Sequence, residues 1–347
     1  MTQGRIPTLD GLRAVAILLV LASHTMAAAA VGRLGHVGVL IFFALSGYLI
    51  TSRLLDEYRK TGAISLRDFY LRRAFRILPP AIVFLAVMGI LASLGFIVCT
   101  SAALRAALLF YINYNFVSDF GGPGWRVGHF WSLSVEEHFY LFWPCLLIGF
   151  GIARGWRQAG LLALAICVWR PIDDHFHLFA TVFGNPRYTG DFYRTDMIAD
   201  ALLWGCCLAF ALRKPIEVSR GKLLSAIAAG AVGGSLLLIC VMDIEHVTPL
   251  LNILPALLVA AIVAVPTAPI GRFLDLQPMR YIGKLSYIIY IWQQLFIGGP
   301  GGLDWPVPLS FAAMFACAYL SYRFIELPCI NFGRQIITSR HLVPEPA

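Results

Sequence analysis

The chain has 347 residues, of which 59% are hydrophobic and only 13% charged, with a formal net charge of +8 and a mean hydropathy of +0.75. Soluble domains carry about 25% charged residues, so this composition excludes a water-soluble globular protein and predicts an all-α, polytopic membrane helix bundle. Nucleic acid is not an expected partner despite the positive balance, because the basic residues fall between apolar runs rather than on aromatic-interleaved patches.

From the N-terminus, Arg5 and Arg13, a short apolar core and Ala27 to Ala30 imitate a secretory signal. Asp10 precedes the core and many apolar runs follow, so the first segment is read as a retained span. Runs near the roughly 20 residues needed to cross a bilayer occur at 12–31, 37–55, 77–98, 131–153, 158–170, 197–212, 223–242, 249–268, 281–298 and 306–325. Ten spans place both termini and the basic segments Arg53 to Arg76, Arg154/Arg157, Arg213 to Lys222, Arg272/Arg280 and Arg334/Arg340 in the cytoplasm, as the positive-inside rule asks. The short run 103–118 carries Arg105, Asn113 and Asn115 and would invert that parity, so it is expected to be peripheral or re-entrant. These spans form one membrane domain, 5–330, with 331–347 as a short cytoplasmic tail. The loop 171–196, with Asp173, Asp174, His175, His177, Asp191 and Tyr193, is a candidate rim for an acceptor. The eight cysteines show no CxxC spacing and are read as buried free thiols.

Within the first span Arg13 and His24 are eleven positions apart, which brings them to within about 20° on one helix face and roughly 16 Å apart along it. Ionisable groups inside a span are costly and face a bundle interior or wet cavity, which makes them functional candidates. Glu136, near the start of the fourth span, is expected to open on the same cavity as His24. The basic inner loop 53–76 ends in Arg72, Arg73 and Arg76, and clustered guanidiniums suit phosphates.

Several segments, in order, resemble the acyltransferase-3 family of integral membrane O-acyltransferases. They are Leu9-Asp10-Gly11-Leu12-Arg13 with His24, Phe42-Phe43-Ala44-Leu45-Ser46-Gly47-Tyr48, Arg73-x-x-Arg76 before Ile77-Leu78-Pro79, Trp131-Ser132-Leu133-Ser134-Val135-Glu136-Glu137, Leu285-Ser286-Tyr287 through Trp292, and Ser321-Tyr322-Arg323-Phe324-Ile325-Glu326-Leu327-Pro328. The resemblance covers about residues 5–330. It implies transfer of an acyl group, acetyl being expected, from cytoplasmic acyl-CoA to a hydroxyl of a carbohydrate or glycosylated acceptor, in the inner or plasma membrane. It carries the family's Arg-x10-His pair onto Arg13 and His24 and its Arg-x-x-Arg onto Arg73 and Arg76. The chain departs from the family at Leu40 (often Asp), His138 (often Gln) and Gln293 (often His), so the resemblance assigns no role to Leu40 or Gln293.

The residues support that chemistry by themselves. A hydroxyl is a poor nucleophile at neutral pH and needs a positioned base, most often His. His24 is therefore the expected base, with an acyl-imidazole as the alternative, and Glu136 is expected to orient it or contact the acceptor. Ser23 points about 100° away and no Gly-x-Ser-x-Gly elbow occurs, which argues against a serine triad. Arg13, Arg73 and Arg76 are the expected acyl-CoA ligands. Asp10, Arg72, Glu137, Tyr322 and Glu326 are candidates for support, each with a plainer reading as cap, topology anchor or packing residue. Neither a metal nor a bound cofactor is expected. The rival is a proton-coupled transporter with an Arg13/His24/Glu136 relay, which the lack of internal symmetry disfavours.

Overall fold

The structure, a computed structural model, describes residues 6–25, 29–114, 124–184, 193–213, 244–297 and 305–341, with single helical positions at 223, 226 and 230. Over 29–33 and 244–250 it describes the backbone. Among the described residues every long element is a helix: α1 Pro7–Thr25, α2 Ala29–Thr61, α3 Leu66–Ser93, α4 Ser101–Leu108, α5 Trp125–Gly128, α6 Phe130–Gly149, α7 Gly155–Phe176, α8 Leu178–Val182, α9 Thr195–Ile198, α10 Asp200–Ala211, α11 Ile244–Ala264, α12 Pro269–Leu274, α13 Gln277–Phe296, α14 Val307–Ser321 and α15 Leu327–His341. Nine of the ten expected spans fall on helices; 223–242 lies largely outside the described residues, as do Asp191 and Cys240. Four of these helices are long and apolar enough to cross a membrane: Pro7–Thr25, Leu34–Thr61, Leu66–Ser93 and the continuous Val307–Arg340. A fifth arises if Trp125–Gly149 and Ile152–Phe176, bent by 111°, are one broken span. The chain is thus a multi-pass membrane protein. The bend falls at Gly151, whose φ of 90° suits a residue without a Cβ.

The basic segment 53–76 is helical, not a loop. Arg53 lies in the C-terminal third of α2, Arg72, Arg73 and Arg76 belong to α3, and only 62–65 connect the two helices. Gly62 adopts φ 77° after the last turn of α2, the usual stop for a helix. Ser65 then caps α3, its hydroxyl accepting from the Asp68 N–H at 3.2 Å. Hydropathy marks only the apolar middle of each helix, and α2, at 33 residues or roughly 50 Å, outruns a roughly 30 Å hydrocarbon core. The arginines therefore ride on helix ends that project beyond it.

Three other segments differ from simple loops. Residues 103–118 begin in the short α4, then turn through Phe110 at φ 54° into a single 3-10 turn, Ile112–Tyr114, so the described part is not one continuous span. The proposed acceptor rim is partly helical, in the end of α7 and in α8, and its Asp173 is buried in an ion pair with Arg194 (2.8 Å). The presumed tail is helical to His341, with Gly333 of α15 set against the Phe75 ring of α3. A π-helical turn, Tyr322–Glu326, joins α14 to α15.

Small residues set the closest crossings. A Cβ on Gly47 (α2) would overlap the Leu202 carbonyl, one on Gly205 (α10) the Ala44 carbonyl, and one on Gly283 (α13) the Asp10 carbonyl. Close backbone approach at glycine is how helices associate where lipid offers no hydrophobic drive. The core so formed runs through Ile17, Leu40, Phe43, Phe84, Phe130, Trp143 and Ile288. Of the described cysteines, all free, only Cys206 is buried and Cys145 is exposed, which corrects the expectation that the thiols are uniformly buried. Hydropathy cannot separate a core-facing from an outward-facing Cys.

Candidate active site

One cavity, of about 100 Å³, lies where α1, α2, α3, α6 and α13 meet. Arg13 enters from α1, Ser46 and Arg53 from α2, Arg73 and Arg76 from α3, Ser132, Glu136 and Tyr140 from α6, and Ser286, Tyr287 and Tyr290 from α13; Phe42, Phe43 and Ile77 are among the apolar walls. Helical spacing explains the presentation. Ser132, Glu136 and Tyr140 are at i, i+4 and i+8, hence one face of α6, and Arg73, Arg76, Ile77 and Pro80 form the inward face of α3.

A hydrogen-bonded chain fixes the carboxylate. Ser46 Oγ donates to Glu136 Oε1, and the Tyr140 hydroxyl donates to Ser46 Oγ at 3.0 Å. The Arg73 guanidinium lies over the Tyr140 ring, 3.6 Å from its centroid, a cation–π arrangement that orients the planar fork. Arg13 pairs with Asp10 at 3.6 Å, and the Tyr287 hydroxyl donates to the Ile77 carbonyl at 2.7 Å. The wall carries four guanidiniums to one carboxylate. In a low-dielectric setting such an excess is costly by itself and strongly favours an anion.

The sequence candidates separate in space. Arg13, Arg73, Arg76 and Glu136 come together on the cavity wall. Asp10 lies within the first turn of α1, which begins at Pro7, and supports Arg13 as its ion-pair partner. Glu326, 2% exposed, stands within electrostatic reach of Arg76 and Arg13 behind the wall. Glu137 is half-buried within reach of Arg73 but does not line the cavity. Arg72 turns away to pair with Glu57 at 3.0 Å, and Tyr322 packs on the hydrophobic core.

His24 is the exception. In the last turn of α1 its ring packs edge-on to Trp125, centroids 5.8 Å apart, and among the described residues it does not line the arginine cavity. The expected sharing of one cavity with Glu136 is therefore corrected. Glu136 sits roughly 9 Å into α6, deep enough to meet Ser46 of α2 and the arginines. His24 meets α5 and the far part of α13, where the Gln293 side chain is its neighbour. Its Nδ1 is buried without a hydrogen-bond partner among the described residues. The two regions are linked: the Tyr290 hydroxyl, on the cavity wall, lies 2.7 Å from Ser132 Oγ and donates to the His129 carbonyl at 3.0 Å, and His129 is within electrostatic reach of His24.

Residue-by-residue reading missed Ser46, Arg53, Tyr140, Tyr287 and Tyr290. The four-residue spacing of Ser132, Glu136 and Tyr140 was a usable signal, whereas Ser46 and Arg53 acquire meaning only from the helices that face them. A second buried polar cluster lies away from the cavity: Arg170 pairs with Asp200 at 2.7 Å, to which Asn252 also donates at 2.7 Å, and Arg194 pairs with Asp173, while Arg170 Nη1 and Asn252 Oδ1 have no partner among the described residues. It ties α7, α10 and α11 together.

Known proteins resemble the chain over most of its length. The family described as an acyltransferase domain matches residues 6–323. The chain is 32% identical to peptidoglycan O-acetyltransferase OatA of Listeria monocytogenes, over 94% of this chain and 56% of that protein. It is also 32% identical to the putative peptidoglycan O-acetyltransferase YrhL of Bacillus subtilis, over 96% and 56%, and 30% identical to a putative O-acetyltransferase of Staphylococcus aureus, over 96% and 59%. The chain thus spans just over half the length of these relatives. No solved structure matches it. With the motifs in order, the arginines of three helices on one wall and a family match over nearly the whole length, the chain belongs to the acyltransferase-3 family of integral membrane O-acyltransferases.

Proposed function

We propose that this protein is a plasma-membrane O-acetyltransferase that moves an acetyl group from cytoplasmic acyl-CoA to a hydroxyl of a cell-envelope carbohydrate, with peptidoglycan the first acceptor to test in view of the relatives' names. The observation that carries the reading is the wall of four guanidiniums, Arg13, Arg53, Arg73 and Arg76, with His24 three turns along α1 from Arg13. A donor with anionic phosphates and a long neutral arm suits that layout: the phosphates are held by the arginines and the thioester reaches toward the imidazole, roughly 16 Å away along the helix.

In the reaction His24 accepts the proton of the acceptor hydroxyl as its oxygen bonds to the thioester carbonyl carbon. The C–S bond then breaks, and the departing thiolate takes the proton from the His24 imidazolium, which restores the neutral base. Glu136, held by Ser46, balances the charge of Arg73 and Arg13 and keeps the arginine fork in register. Ten spans with both termini cytoplasmic complete the proposal and put the basic helix ends on the donor side.

The test is incubation of purified protein with labelled acetyl-CoA and a panel of envelope glycans, beginning with peptidoglycan fragments. Label is expected on glycan hydroxyls with wild type and not with His24→Ala. Absence of transfer to every glycan, together with proton-driven solute uptake in proteoliposomes, would overturn the enzyme in favour of a carrier.

A further inference from the structure

Gln293 and Gln294, adjacent in α13, are both almost fully buried, yet they are treated differently by the fold. Gln294 is engaged: its Oε1 accepts from the His129 backbone N–H at 3.0 Å and lies 2.6 Å from His129 Nδ1, while its carbonyl accepts from Arg126 at 2.7 Å. Gln293 is 0% exposed, and neither its Oε1 nor its Nε2 has a hydrogen-bond partner among the described residues. A buried carboxamide with both ends unused is costly and calls for an explanation.

Its position supplies one. Ser286, Tyr290 and Gln293 are at i, i+4 and i+7 on α13, a single helix face, and the first two line the arginine cavity. Gln293 continues that face to the imidazole of His24, near enough for the two side chains to interact, although neither the amide nor His24 Nδ1 makes a hydrogen bond of full geometry among the described residues. Two buried polar groups therefore face one another with hydrogen-bonding capacity in reserve for a third. His24 offers an acceptor for a hydroxyl proton. Attack on a thioester also needs a donor toward the carbonyl oxygen, where negative charge gathers, and the Nε2–H of Gln293 is a neutral donor at the same place.

We propose that Gln293 contacts the substrate, its Nε2–H donating to the acyl carbonyl oxygen as the acceptor hydroxyl, deprotonated by His24, attacks the carbonyl carbon. A fixed neutral dipole suits this task, since it gains most as charge develops and requires little reorganisation. The inference rests on the acyl-transfer reading with His24 as base.

The experiment is to purify wild type, Gln293→Met, Gln293→His and His24→Ala in detergent and measure thermal unfolding, kcat and both KM values with labelled acetyl-CoA and the glycan that wild type acetylates. Because the amide faces the His24 imidazole without a hydrogen bond of full geometry to fix it, Gln293→Met, which keeps the buried volume, is expected to unfold within a few degrees of wild type. Its kcat is expected to fall about 10²- to 10³-fold, as for loss of one oxyanion donor, with donor KM within about threefold. Gln293→His, which restores an N–H, should recover a large part of the rate. Wild-type kcat in Gln293→Met, or a fall in Tm that accounts for its lost activity, would overturn the assignment even if His24→Ala is dead. Full activity in His24→Ala would instead overturn the underlying reading.

Discussion

Ser46 of α2 donates its hydroxyl to Glu136 of α6, ninety positions away in the chain, and this bond joins the Phe-Phe-Ala-Leu-Ser segment to the Val-Glu-Glu segment at the centre of the cavity. The carboxylate it anchors stands within reach of Arg73 and Arg13. Removing one partner of a buried charged group leaves the other uncompensated, at about 3–5 kcal/mol. Glu136→Ala is therefore expected to lower the thermal stability of the detergent-solubilised protein markedly, and Ser46→Ala less, by about 1–3 kcal/mol. Calorimetry or scanning fluorimetry checks both; a Glu136→Ala protein as stable as wild type would rule out the charge-balancing role.

The Arg73 guanidinium sits over the Tyr140 ring, so its contribution depends on shape as well as charge. Arg73→Ala should raise the donor KM by at least about tenfold and leave the acceptor KM nearly unchanged. Arg73→Lys keeps the charge but loses the planar fork and should recover only part of the affinity. Arg72→Ala, by contrast, removes an exposed pair with Glu57 and should be close to silent, since such pairs contribute about 0–1 kcal/mol. Equal donor affinities in Arg72→Ala and Arg73→Ala would show that neither binds the donor.

His24→Ala should reduce transfer about 10²- to 10⁴-fold, the usual loss for a general base. Because Glu136 belongs to the arginine cavity and His24 does not line it, Glu136→Gln combined with His24→Ala should give losses that multiply. Groups acting as one unit would give a double variant no worse than the single ones. Kinetics of the two single variants and the double variant decide between separate and joint action.

Gly205 and Gly47 are where α10 and α2 touch backbone to backbone. Gly205→Val should push the helices apart and cost at least about 1–3 kcal/mol, as overpacking does, with loss of monodisperse protein on size exclusion. Gly149, which has open space around it, is the control: Gly149→Ala should be tolerated. Equal behaviour of the two variants would dismiss close crossing as the reason for glycine at 205.

Topology can be tested apart from catalysis. With the exposed Cys145 replaced by Ser, a cysteine at Phe183 should react with an impermeant thiol reagent added outside intact cells, and one at Arg154 should not. The reverse pattern would invert the sides of α7 and place the arginine wall away from cytoplasmic donor.

How much of this was legible beforehand follows from what each signal measures. Apolar runs located nine of the helices because burial in lipid is paid for locally, residue by residue. Helical period likewise put Arg13 and His24 on one face of α1 without reference to any other element, whereas the same period over Ser132, Glu136 and Tyr140 of α6 went unused. Helix ends were misplaced where charge begins before the helix stops: Arg72, Arg73 and Arg76 were read as a loop although Ser65 and Gly62 already carried the boundary signals.

A multi-pass helical protein, its family motifs and three of the four arginines on the wall, Arg13, Arg73 and Arg76, follow from the chain alone. It took the packing of the helices to show that Glu136 answers to Ser46 and the guanidiniums, that Arg72 turns outward, and that Gln293, assigned no role by the resemblance, faces His24. The physical reason is that hydropathy and periodicity are properties of single helices. Which polar groups meet is fixed by the register and crossing of helices far apart in the chain, set by contacts such as Gly47 on Leu202 and Gly283 on Asp10, and no local pattern encodes that register.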